Sequence, residues 1–114
     1  EDDAAVRRLA VDILKRGGYR VINSDSVEEA VRRAAEHDGP LHLVLTDVVM
    51  PGMKGPEVYA RICARHPEAK VLYMSGYTEE VIAHGGVLQD NVAFIQKPFS
   101  VVGLLEKIGQ LLRR

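Results

Sequence analysis

A single cysteine, Cys63, occurs in 114 residues, so no internal disulfide can form and the usage fits a reducing compartment. At helical spacing among apolar neighbours, Cys63 reads as a small buried helix residue rather than a nucleophile. No apolar run approaches the roughly 20 residues that span a bilayer. No signal peptide is visible at the start, and nothing follows from that, because the chain can be part of a longer one. The formal net charge is −1, with no block of either sign. Bulk electrostatics therefore do not favour nucleic acid, and Arg113-Arg114 is too short to act as a basic arm. Internal repeats, low-complexity tracts and linker-like stretches are also lacking.

What is there is an ordinary globular composition, 46% hydrophobic and 27% charged. That is enough apolar material for one core, and the length suits one domain over residues 1–114.

Helix and strand patterns alternate along it. Val6, Leu9, Ala10, Ile13 and Leu14 recur at helical spacing within residues 3–16, and Gly17-Gly18 ends that helix. "YRVIN" (19–23) predicts a short strand. Ser26, with Glu29 three residues on, predicts a capping box for a helix whose apolar face is Val27, Ala30, Val31, Ala34 and Ala35. "LHLVLT" (41–46) is too apolar to alternate, as expected of a parallel strand buried on both faces. Pro56 suits the first position of a helix running to about Arg65, with Val58, Tyr59, Ile62 and Cys63 inward. "KVLYM" (70–74) is the next strand. Thr78 caps a short helix ended by Gly85-Gly86. "VAFIQ" (92–96) is the last strand. Ser100 caps a final helix with Val101, Leu104, Leu105, Ile108, Leu111 and Leu112 on its stripe, locally weakened by Gly103.

This alternation predicts an α/β fold, a parallel sheet with helices on both faces. The chain opens on "EDD" and a helix, where acids in an open α/β sheet normally follow a strand. Either the parent protein has a strand before Glu1, or a four-stranded sheet is complete in itself.

In such sheets ligands bind beyond the carboxyl ends of the strands. The fold would collect Glu1, Asp2 and Asp3, then Asp47, Ser75 and Lys97 at that edge. Clustered carboxylates repel one another and call for a cation, and hard oxygen ligands suit Mg²⁺. A carboxylate facing an open site can attack phosphorus, and Mg²⁺, a lysine and a hydroxyl could offset charge on the equatorial oxygens. Each residue also has a plain reading, as turn former, helix cap or solvated lysine. Their joint placement at successive elements carries the weight. His37, His42, His66 and His84 are scattered without ligand spacing.

The acidic pair before the first helix, "TDVVMPGMKG" around Asp47, "MSGYT" after one strand and "KPF" after the next resemble a response-regulator receiver domain of two-component signalling, over almost the whole chain. The "MSGYT" and "KPFS" stretches look most like receivers of hybrid sensor histidine kinases, and a free-standing regulator is equally compatible. The resemblance implies a flavodoxin-like doubly wound sheet of strand order 2-1-3-4-5, whose first strand is the one not found in this chain. It implies Asp47 as phosphoacceptor and Mg²⁺ as cofactor. Asp2 would ligate the metal directly, Glu1 through water, and Val49 through its backbone carbonyl. Lys97 would pair with the phosphoryl group, with a cis Lys97-Pro98 bond. Ser75 and Phe94 would be the switch pair. Two departures stand out: the acidic pair is Glu-Asp, and Phe94 has no hydroxyl.

The family further implies a phosphoryl donor that is a histidine kinase or histidine phosphotransfer protein, and an altered surface for a downstream partner. The domain would not be an independent enzyme; it would assist its own aspartyl phosphorylation and dephosphorylation. It would be cytoplasmic, including as part of a membrane-anchored hybrid kinase, without direct contact to nucleic acid or membrane. Homodimerisation is left open. Two rival classes differ at named features. An aspartyl phosphohydrolase resembles "DxDx[TV]", whereas Val49 stands where its second acid would be. An inert interaction module would not need Asp47, Ser75 and Lys97 together.

Overall fold

The computed structural model describes residues 4–24, 26–47, 49–50, 53–75 and 93–113. Helix α1 (Ala4–Arg16) ends where Gly18 takes φ of 90°, a left-handed conformation that a side chain would resist. Just before it, Gly17 lies close to the last helix: a Cβ there would come 2.7 Å from Cδ2 of Leu105. Helix α2 (Val27–Glu36) starts from Ser26, whose hydroxyl accepts the Glu29 N–H at 3.2 Å. The predicted capping box is made in that half. The Glu29 carboxylate pairs instead with Arg33 one turn on, at 2.5 Å.

Strand β1 (Leu43–Asp47) carries Asp47 as its last residue. Two short strands follow, β2 (Val49–Met50) and β3 (Met53–Lys54), paired antiparallel with Val49 opposite Lys54. Helix α3 (Gly55–Cys63) begins one residue before Pro56 and ends two before Arg65, which lies in the following turn. Strand β4 (Lys70–Ser75) and strand β5 (Phe94–Gln96) lead to helix α4 (Val101–Leu112). The short helix expected after Thr78 lies outside the described residues.

β1, β4 and β5 form one parallel sheet in that order, with Asp47 opposite Met74 and Ser75 opposite Gln96. Two apolar clusters cover its faces. Val44 joins Val27 and Ala34 of α2 and Val58 and Ile62 of α3 on one side. Leu72 joins Ala10 and Ile13 of α1 and Leu104, Ile108 and Leu111 of α4 on the other. Helices on both faces of a parallel sheet make the doubly wound α/β arrangement that the alternation predicts.

Three expectations need correction. Residues 19–23 form no strand: the segment is irregular, and β1 is an edge strand among the described residues. Extended backbone becomes a strand only with a ladder partner, and the described residues place none between this segment and β1. Leu9 is 48% exposed although it belongs to the α1 stripe, because the helix docks through Ala10 and Ile13. Val101 is 46% exposed at the first turn of α4, before the helix reaches the sheet.

Candidate functional site

Parallel strands align their carboxyl ends, so residues distant in sequence meet at one edge. Here β1 ends on Asp47 and β4 on Ser75, both buried. Beyond β5, the Lys97 N–H donates to the Ser75 carbonyl at 2.6 Å, one step past the last ladder pair. The Lys97-Pro98 peptide is cis, as expected. The Lys97 side chain then crosses β4 to Asp47, with Nζ 2.6 Å from Oδ1. Three of the predicted site residues are therefore brought together by the ladder itself.

Asp47 is 4% exposed. The lysine contact is a close charge pair out of hydrogen-bond alignment, and neither carboxylate oxygen has an aligned donor. A buried carboxylate without hydrogen bonds is costly, and natural structures leave such atoms bare mainly where a water, ion or reacting group belongs. Hard anionic oxygens suit Mg²⁺, so this residue fits the metal that the acidic pattern implies. Among the described residues no group of three or more His, Cys, Asp or Glu could hold a metal alone. Glu1 and Asp2 lie outside the described residues. Val49 is placed in β2, two positions after Asp47.

Phe94 opens β5, half-buried and opposite Tyr73 of β4. Burial, with a smaller contribution from Cys63, pushes the Tyr73 phenol up to about 12. Tyr59 is raised to about 12, chiefly by burial and then by Cys63 and Tyr73, and its hydroxyl donates to the Ala69 carbonyl at 2.6 Å. Both phenols stay protonated at neutral pH and take no part as bases. Cys63 is half-buried rather than fully buried, with Sγ 4.0 Å from the same carbonyl.

One neighbour was not singled out by its sequence pattern. Thr46 is 4% exposed, and its hydroxyl donates to the Asp47 carbonyl at 3.2 Å. A lone hydroxyl inside an apolar strand, next to the acid, was the available signal.

The model of the response regulator receiver domain matches residues 1–109. The sensor kinase CckA of Brucella abortus is 34% identical over 114 residues, all of this chain and 12% of the kinase. The response regulator receiver protein CpdR of the same organism is 31% identical over 98% of this chain and 92% of that protein. The crystal structure of the receiver domain from hybrid histidine kinase CckA superposes with a TM-score of 0.81 at 33% identity, covering 98% of this chain and 94% of that one. The chain thus corresponds to a small part of the kinase and nearly all of the receiver protein. A buried acid at the end of β1, a lysine held against it from beyond β5 and this match lead to one assignment: the chain belongs to the response regulator receiver domain family.

Proposed function

We propose that Asp47 is the residue on which this phosphoacceptor signalling domain receives its phosphoryl group. The observation that carries the reading is the buried carboxylate, bare of aligned hydrogen bonds and 2.6 Å from the Lys97 ammonium. In the step, an Asp47 oxygen forms a bond to phosphorus. The bond from phosphorus to a donor histidine nitrogen breaks, and the imidazole leaves with that electron pair. Lys97 offsets the negative charge on the phosphoryl oxygens, and the Ser75 hydroxyl donates to one of them. Phe94, at the start of the strand that leads to Lys97, repacks as Ser75 moves and alters the surface offered to a partner.

Glu1, Asp2, Asp47 and the Val49 carbonyl are the groups that would hold Mg²⁺. When bound, the metal supplies charge neutralisation between the carboxylates and the phosphoryl oxygens. The phosphoryl donor is a histidine kinase or a histidine phosphotransfer protein. Acceleration of its own phosphorylation and dephosphorylation belongs to the domain, and steady turnover of a free substrate does not. Residues 1–114 act as one receiver unit. The domain works on the cytoplasmic side; no helix among the described residues is long and apolar enough to cross a membrane.

The test is phosphoryl uptake from a small phosphodonor with Mg²⁺, read by intact mass. One phosphoryl group is expected on the native protein and none on Asp47→Asn. Uptake by Asp47→Asn at the native rate removes the assignment, and no uptake by the native protein favours an inert interaction module.

A further inference from the structure

His66 lies in the connection from α3 to β4, at the opposite end of β4 from Ser75. Five residue steps of strand separate Lys70 from Ser75, roughly 16 Å. The imidazole has no place in the phosphoacceptor chemistry, yet it is only 6% exposed. Its Nε2 is 2.6 Å from the Ala34 carbonyl, and its Nδ1 is 3.2 Å from Oε2 of Glu68. Both opposing atoms are acceptors. A neutral imidazole carries one N–H, so one of these contacts would then set lone pair against lone pair. Only the imidazolium donates at both nitrogens.

The groups around it can be sorted by sign. Ala34 and Ala35 are in the last turn of α2, whose carbonyls form the negative end of the helix dipole. The Glu68 carboxylate also favours a charged ring. It is anchored by the Leu41 N–H at 2.9 Å, and chiefly that bond, with His66 a lesser cause, holds its carboxyl below the usual range. Two groups oppose the charge: Arg65, which donates to the Ala35 carbonyl at 3.1 Å, and His37, whose ring centroid is 6.0 Å away. Tyr59 and Cys63 of α3 point to the Ala69 carbonyl instead. Arg65 is committed to its own carbonyl and exposed, so the acceptors in direct contact decide.

We propose that His66 is a proton-gated clamp: doubly protonated, it fastens the carboxyl end of α2 to the α3–β4 connection through Ala34 and Glu68, and it releases one side when the proton leaves. The proposal is independent of the reading of Asp47.

Hydrogen exchange by mass spectrometry on the full-length protein tests it, at about pH 5.5 and about pH 8. Protection is corrected for intrinsic exchange and read in peptides spanning 33–42 and 64–70. A hydrogen bond from a charged donor predicts about tenfold greater protection at the acidic end in the native protein. The ratio should collapse toward one in His66→Gln. It should also fall in Glu68→Gln, whose carboxamide can donate to a neutral ring. It should be unchanged in His37→Gln. A native ratio no larger than that of His66→Gln overturns the proposal, as does a ratio abolished by His37→Gln. If His66→Gln does not fold, Glu68→Gln decides, and a fully retained ratio there counts against the clamp.

Discussion

Lys97→Met removes the ammonium and keeps a flexible apolar stem, so it isolates the charge. At 2.6 Å the pair attracts by about 6 kcal/mol in an effective dielectric of about 20. Desolvation of two ions takes back much of that, and the pair as a whole adds little net stability. Truncating one partner is a different measurement, because it leaves the other charge buried alone. Such losses run to about 3–5 kcal/mol. The Lys97 side chain is 24% exposed against 6% for Asp47. Water can follow the methionine in, which sets the expectation at the lower end, about 3 kcal/mol. Phosphoryl transfer should suffer as well. Removing one preorganised charge donor typically costs about 100- to 1,000-fold in rate. Urea unfolding and phosphoryl uptake from a small phosphodonor with saturating Mg²⁺ read the two effects separately. Lys97→Arg should recover stability better than rate, since its planar fork keeps the charge and changes its geometry. If Lys97→Met unfolds at the native midpoint and takes up phosphate at the native rate, the pair does neither job and the reasoning fails.

Three further outcomes are expected. Leu72, fully buried between α1 and α4, should cost about 2–5 kcal/mol as Leu72→Ala in chemical denaturation. Gly103→Ala should not deliver the ~1 kcal/mol that helix propensity promises. The Gly103 N–H donates to Ser100 Oγ at 2.9 Å, and an added Cβ would stand 2.9 Å from that oxygen, so the gain is offset by a displaced cap; a thermal midpoint clearly above native would contradict this. The folded Glu68 carboxyl lies below its ordinary value of 4.5, so its contribution is present above that pH and lost as pH falls through the folded value. The urea-midpoint gap between the native protein and Glu68→Gln should therefore narrow below about pH 4.5, and a gap constant down to pH 3 refutes it.

Local signals were enough where one element decides the outcome. Ser26 and Ser100 were legible as caps because a hydroxyl three residues before a free N–H needs no tertiary partner. The strand β4 was legible from "KVLYM", and the burial of β1 from "LHLVLT", whose Val44 packs on one face while Leu43 and Leu45 pack on the other. Where a third element decides, the pattern failed. "YRVIN" has good strand residues, but strand character belongs to a pair, and no strand among the described residues pairs with it. Leu9 fits the α1 stripe, yet the stripe is wider than the face that docks. Gly103 read as a weakness, since propensity cannot see the cap hydroxyl beside it. His66 was one of four scattered histidines, and its two acceptors come from residues 34 and 68. The acid, hydroxyl and lysine of the site were legible together only because parallel strands align their ends.

That alignment also explains why β4 is the strand through which the site and the core must communicate. It lies between β1 and β5, so among the described residues it is the only strand of the sheet with a neighbour on both sides. Its last residue, Ser75, accepts the Lys97 N–H, while Leu72 packs on Leu104 and Ile108 of α4. Its first residue, Lys70, donates from Nζ to the Leu111 carbonyl at 2.7 Å, in the last turn of the same helix. A lysine there satisfies a terminal carbonyl and the negative end of the helix dipole together. One strand therefore holds the reactive edge at one end and the carboxyl end of α4 at the other, with a close-packed core between. Packed side chains move between discrete arrangements rather than deforming continuously. On the proposed reading, a displacement of Ser75 toward a phosphoryl oxygen would reach α4 through the Leu72 and Lys70 contacts.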